Sequence, residues 1–164
     1  MLTMVEATAE DEPFLYQVYA STRREEVAGW GWEEAAQDAF LRMQFDLQQR
    51  SYQMEYPNAI HQIVLHGSNR AGRMIVDYRK EAILLVDLSL LPEYRNVGIG
   101  TTLLKELQQE AADSGKVLLL QVYHANPALR LYTRLGFEVT AQNGLYVSMR
   151  WHTNPTESHS HYIT

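Results

Sequence analysis

The sequence predicts a mixed α/β fold. Three apolar segments separated by short turns, at Ala59 to His66, Gly72 to Arg79 and Leu84 to Leu91, read as an antiparallel meander. An amphipathic helix follows the third, and a nearly continuous apolar run, Val117 to Tyr123, follows the helix. Such a run fits a strand buried on both faces and parallel to the strand before the helix. Two further amphipathic segments lie ahead of the meander, and a shorter one after the apolar run brings the helices to about four.

Leu2 to Ala7 alternates as a short strand. Thr8 can cap the next helix with Asp11 three residues on, and Pro13 falls in the first turns. Phe14, Leu15, Val18 and Tyr19 form its stripe, which fades near Val27. Ala28-Gly29-Trp30-Gly31-Trp32 breaks the pattern. Its two indoles read either as a wall facing a substrate or as a plug between helices. Glu33 to about Tyr52 is a second, long helix, on which Ala36, Phe40, Met43 and Leu47 can share a face, with Gln44, Gln48 and Gln49 expected in solvent. Tyr56-Pro57-Asn58 and Gly67-Ser68-Asn69 are turns.

Pro92 has no N–H for a ladder and ends the third meander strand. Gly98 and Gly100 open a helix whose buried face is Ile99, Leu103, Leu104, Leu107 and Ala111, and Gly115 ends it. A strand, a glycine-bearing turn and a helix N-terminus make an anion site. The first helical N–H groups lack internal partners, and the dipole adds partial positive charge. Arg95 to Thr101 therefore offers a cradle for a pyrophosphate. The dinucleotide fingerprint fails, because Leu103 stands at its third glycine, and no Gly-Lys-Ser/Thr of a P-loop follows. Further on, Asn126 can cap a helix with Pro127 at its first position and Ala128, Leu131, Tyr132 and Leu135 on its inner side. Phe137 to Thr140 and Gly144 to Trp151 form a last hairpin across an Asn-Gly turn signal at Asn143-Gly144.

Composition narrows the classes of function. The 164 residues suit one domain, expected over 1–151, with 152–164 as a flexible tail carrying His152, His159 and His161. The net charge of −6 argues against non-specific nucleic-acid binding. Without cysteine there is no thiolate nucleophile and no zinc-thiolate site, and the tail histidines match no metal-ligand spacing. No leader pattern and no apolar run near the ~20 residues of a membrane span is apparent, so a cytoplasmic location is expected.

Two motifs carry a resemblance. Arg95-x-x-Gly98-x-Gly100, after Leu88-x-Leu90-x-Pro92, resembles the acyl-CoA pyrophosphate loop of the GNAT superfamily of N-acetyltransferases. Asn126-Pro127-Ala128-Leu129-Arg130-Leu131-Tyr132-x-x-Leu135-Gly136-Phe137 resembles that superfamily's second signature. The resemblance implies a mostly antiparallel sheet splayed between its fourth and fifth strands, with acetyl-CoA as acyl donor. It implies that Leu88, Ser89 and Leu90 are unpaired in the sheet and bond the pantetheine arm. Arg95, Asn96, Val97, Gly98, Ile99, Gly100 and Thr101 would take the pyrophosphate, and Asn126 would bond the pantetheine, cap its helix, or both. Tyr132 would protonate the leaving thiolate, and Asp87 is the leading candidate for the general base, ahead of Glu81 and Asp77. An N–H near Leu90 would hold the oxyanion. Trp30, Trp32 and Tyr146 lie where the family contacts its acceptor. The function implied is acetyl transfer to a primary amine of a small molecule or peptide, in a family where homodimers are common. A non-catalytic acyl-CoA-binding module is the alternative.

Overall fold

The computed structural model describes residues 1–153. The histidines expected in the tail at His159 and His161 lie outside the described residues. Seven strands run in the order β1-β2-β3-β4-β5-β7-β6. They are β1 (Leu2–Glu6), β2 (Ile60–His66), β3 (Asn69–Tyr78), β4 (Ala82–Leu90), β5 (Val117–Tyr123), β6 (Glu138–Asn143) and β7 (Tyr146–Trp151). The helices are α1 (Glu12–Ala28), α2 (Glu34–Glu55), α3 (Ile99–Ser114) and α4 (Ala128–Arg134). The chain divides into two compact units: Met1–Ile75 with Asp87–Val97, and Val76–Val86 with the chain from Gly98 on.

In the first unit β1 pairs antiparallel with β2, Leu2 opposite His66 through Glu6 opposite Gln62. The Thr8 N–H donates to the Asp11 carboxylate at 2.9 Å, and this closes a 3₁₀ turn that leads into α1. Phe14, Leu15 and Val18 of α1 form a core with Phe45 of α2, Ile63 and Leu91. The buried stripe of α2 differs from the expected one. Leu41 and Phe45 are buried, whereas Met43 and Leu47 are about half exposed. The helix therefore presents the face offset by one or two residues from the spacing first read. On that same side Gln48 and Gln49 are partly buried, not solvated. Gln49 accepts a hydrogen bond from Arg73, so a glutamine expected in water instead serves a buried cation.

In the second unit the early part of β4 runs parallel to β5, with Ala82 opposite Val117 through Leu85 opposite Leu120. β5 then pairs antiparallel with β7, and β7 with β6. The β4–β5 ladder covers four residues of each strand, while β4 continues to Leu90. Helix α3 packs on β5 and buries all five residues that the spacing predicted. Gly115, at φ +67°, ends it in the left-handed region, and the Lys116 N–H returns to the Ala111 carbonyl at 2.8 Å. The last hairpin turns one residue later than the Asn-Gly signal indicated. Asn143 pairs with Tyr146, so Gly144 and Leu145 are the central residues. Gly144 has φ +61° and Leu145 has none in the positive region, the arrangement of a turn that needs glycine only at its first centre.

Candidate active site

The first unit carries the end of β4 and the loop after it. Gly72 on β3 lies against this end so closely that a Cβ there would stand 2.1 Å from the Ser89 carbonyl oxygen and 2.9 Å from Leu90 Cα. Only glycine permits that approach. The Leu91 N–H donates to the Ala71 carbonyl at 2.8 Å and anchors the strand's last residues. The carbonyl of Leu90 has a side-chain partner. It accepts a hydrogen bond from Arg95 Nε at 2.9 Å, and Arg95 Nη2 donates to the Ser21 hydroxyl at 3.2 Å. The arginine expected to meet phosphate thus also ties its loop back to β4 and α1. Asn96 has φ +59°, a conformation that asparagine adopts more readily than most residues.

Asp87 sits among partners in the same unit. Its Oδ1 accepts the Ser89 hydroxyl at 2.7 Å, and its Oδ2 lies 3.8 Å from Arg73 Nε. Of the weaker base candidates, Asp77 is buried and paired with Arg79 at 3.1 Å in the second unit. Trp30 and Trp32 pack on each other and on Phe40, with ring centroids 5.2–5.7 Å apart. Both indoles remain more than 40% exposed, so they form a surface wall and not an interior plug.

The second unit carries the helix side. Gly98 is the N-cap of α3 at φ +89°, and no side chain caps this end. The first helical bond runs from the Thr102 N–H to the Gly98 carbonyl at 3.0 Å, so the amides of Ile99, Gly100 and Thr101 precede the first intrahelical donor. A Cβ at Gly98 would meet nothing within 4 Å, and one at Gly100 only Leu131 Cδ2 at 3.8 Å. Gly98 is required by its backbone angle. The packing gives no reason for Gly100 to lack a side chain.

Tyr132 is buried on α4, and its ring meets Phe137 edge-on at 5.7 Å. The Phe137 N–H donates to the Tyr132 carbonyl at 3.0 Å, and Gln108 of α3 donates to the Leu135 carbonyl at 2.9 Å. The first bond closes the end of α4, and the second ties that end to α3. Asn126 Oδ1 accepts the Ala128 N–H at 2.9 Å, so its capping role is realised. Tyr146 is half exposed and packs edge-on against Tyr123 at 6.0 Å. Sequence reasoning missed Gly72 and Arg73, and it named Asn96 without its left-handed backbone. A glycine inside a strand pattern was the available signal for Gly72, and for Asn96 it was an asparagine just ahead of a glycine turn.

A sheet of this strand order, with an uncapped, glycine-opened helix after β4, defines a mixed α/β protein. The family model described as "Acetyltransferase (GNAT) domain" matches residues 58–139, half of the chain. The chain belongs to the GNAT acetyltransferase family. Comparison with curated proteins finds no match. Among solved structures the chain is similar to the PaiA N-acetyltransferase of Thermoplasma acidophilum in complex with coenzyme A, at 21% identity and a TM-score of 0.69, covering 93% of this chain and 99% of that one. It is also similar to the ribosomal-protein-S18-alanine N-acetyltransferase of Escherichia coli, at 20% identity and TM-score 0.61, covering 94% and 96%. A GNAT acetyltransferase of Elizabethkingia anophelis with acetyl-CoA bound is 15% identical, with TM-score 0.58 and coverage of 93% and 98%. Among the described residues no helix is long and apolar enough to cross a membrane.

Proposed function

We propose that residues 1–151 are an acyl-CoA N-acyltransferase domain that moves acetyl from acetyl-CoA to a primary amine of a small molecule or peptide. The observation that carries this reading is the start of α3, opened by Gly98 at φ +89° with no side-chain cap. There Gly100 lacks a side chain for no packing reason. Both features suit a diphosphate on the amides from Arg95 to Thr101. The relatives solved with coenzyme A and with acetyl-CoA support the same ligand class. Leu88 and Ser89, with the N–H of Leu90, serve the pantetheine arm, and Asn126 caps α4 beside its role there.

Acetyl-CoA supplies the acyl group as a thioester. Asp87 takes a proton from the incoming ammonium and exposes the lone pair that forms the new C–N bond. A backbone N–H near Leu90 donates to the carbonyl oxygen as negative charge develops on it. The C–S bond breaks with its electron pair on sulfur, and the Tyr132 hydroxyl delivers a proton there. The nitrogen sheds its second proton as the amide forms, and that proton restores Tyr132, so the net products are an amide, a free thiol and one proton released through Asp87. Trp30, Trp32 and Tyr146 contact the acceptor. The reaction is assigned to the cytoplasm, where acetyl-CoA and free amines meet.

The test is release of CoA thiol by the purified protein with acetyl-CoA and an amine panel, beside calorimetric binding of acetyl-CoA. Turnover with at least one amine supports the reading. Tight binding without release across the panel marks a binding module instead, and absent binding refutes both.

A further inference from the structure

The first unit holds a polar cluster beneath α2 that the roles above leave largely unused. Arg73 on β3 is 2% exposed. Its Nη2 donates to Gln49 Oε1 at 2.9 Å, its Nε lies 3.8 Å from Asp87 Oδ2, and its guanidinium stands 5.8 Å from the Tyr52 ring centroid. Its Nη1 is buried and finds no hydrogen-bond partner among the described residues. Gln48, on the same inner side of α2, has a buried Oε1 that also lacks one.

A buried cation with an unfilled nitrogen is costly to hold. Its stable completion is an oxygen acceptor, and a carboxylate is the best one for a guanidinium. The neighbouring Asp87 keeps more of its side chain open, at 15% against 3% for Arg73. The cluster therefore offers a cation with an unfilled donor and, 3.8 Å from it, a carboxylate. Arg73 and Asp87 balance each other in charge. Burial first, and then the charge of Arg73, lower His61 from the usual histidine value, with Asp87 pulling the other way. A ligand that pairs both ends and keeps this balance carries both signs, a carboxylate for Arg73 and an ammonium for Asp87.

We infer that Arg73 and Asp87 form the acceptor site for a free α-amino acid, with its carboxylate on Arg73 Nη1 and its amine at Asp87. The inference rests on the acetyltransferase reading and narrows its acceptor. A peptide N-terminus offers Arg73 only a neutral carbonyl beside its amine and is the weaker fit.

The experiment compares matched acceptors with acetyl-CoA and the full chain: each of several amino acids, its primary amide, its methyl ester and its decarboxylated amine. The series spans small, apolar, aromatic and basic side chains. The free amino acid is expected to exceed its carboxylate-free partners by about 100-fold or more in kcat/KM, because they leave a buried donor unpaired. In Arg73→Met that ratio falls towards one, and Arg73→Lys retains part of it. Acetyl-CoA affinity reports whether each variant folds, and the wild-type series decides alone if a variant does not. Equal rates across a matched set overturn the inference, as does acetyl-CoA binding with no free amino acid acetylated. Loss of acetyl-CoA binding by the wild-type protein would instead remove the acetyltransferase reading itself.

Discussion

Gly72→Ala tests how the end of β4 is held. The added Cβ would lie 2.1 Å from the Ser89 carbonyl oxygen, 2.9 Å from Leu90 Cα and 2.9 Å from Leu90 Cδ2. The leucine side chain can swing away, but the other two atoms belong to the backbone. Ordinary contact would need the Ser89–Leu90 peptide to retreat by about 1.3 Å. Leu91 cannot follow freely, because its N–H is held by Ala71 one residue from Gly72. Overpacking of this kind costs about 1–3 kcal/mol. For a chain of this size each kcal/mol lowers the melting temperature by roughly 2–4 °C. A loss of about 2–12 °C is therefore expected by circular dichroism, and the displaced peptide belongs to the proposed pantetheine strand. Calorimetry should show weaker acetyl-CoA binding at temperatures where the variant is fully folded. An unchanged melting temperature with unchanged affinity would refute the close-approach account and the assignment of Ser89 and Leu90 to the ligand.

Tyr132→Phe should lower kcat by about 10²-fold, the low end of general-acid effects, with acetyl-CoA affinity preserved; unchanged turnover removes it as the acid. Asp87→Asn should lower kcat to a similar extent without weakening acetyl-CoA, measured by thiol release and calorimetry. Gly98→Ala places a Cβ where φ is +89° and should cost stability of about 1 kcal/mol or more, with acetyl-CoA affinity reduced as the first amides of α3 reorient; an intact melting temperature and affinity would contradict the cradle. His61 carries a pH dependence of known sign. Burial, mainly, lowers its folded value below the usual 6.5, so the unfolded chain binds the proton first as pH falls. Stability is complete above the unfolded value and lost as pH falls through the folded one. The melting temperature should drop less between pH 7.5 and 5.5 in His61→Gln than in the wild type, and equal drops would dismiss the ring as the source.

Much of the fold was legible because its signals are local. The five apolar positions of α3 recur at helical spacing, and Gly115 marks its end within one residue. β5 reads as a parallel strand from its apolar run, and it does pair parallel to β4, although Gln121 and Tyr123 leave one face open where burial on both was expected. The errors also have local causes. Met43 and Leu47 look like a stripe with Ala36 and Phe40, yet Leu41 and Phe45 are the ones that meet α1 and Ile63. An amphipathic pattern with apolar residues on several sides does not state which side its partner occupies. The Asn-Gly pair suggested the wrong central residues because glycine serves either of two hairpin turns at different offsets.

The candidate site divides along the same line. The glycine turn and the Tyr132 motif are contiguous in sequence, so their spacing carries the information. Arg73 is different. Between Gly72 and Met74 it reads as an ordinary polar residue of a strand, and nothing nearby tells that it is buried. Its partners arrive from Gln49 on α2, 24 residues earlier, and from Asp87 on β4, 14 residues later. A buried charge is defined by what the rest of the fold brings to it, and this is where tertiary structure adds chemistry that periodicity cannot encode. The same dependence makes the cluster informative about the acceptor. Packing could have filled this space with apolar residues at lower cost. A cation, a carboxylate and unfilled polar atoms held there instead are best accounted for by a ligand that completes them.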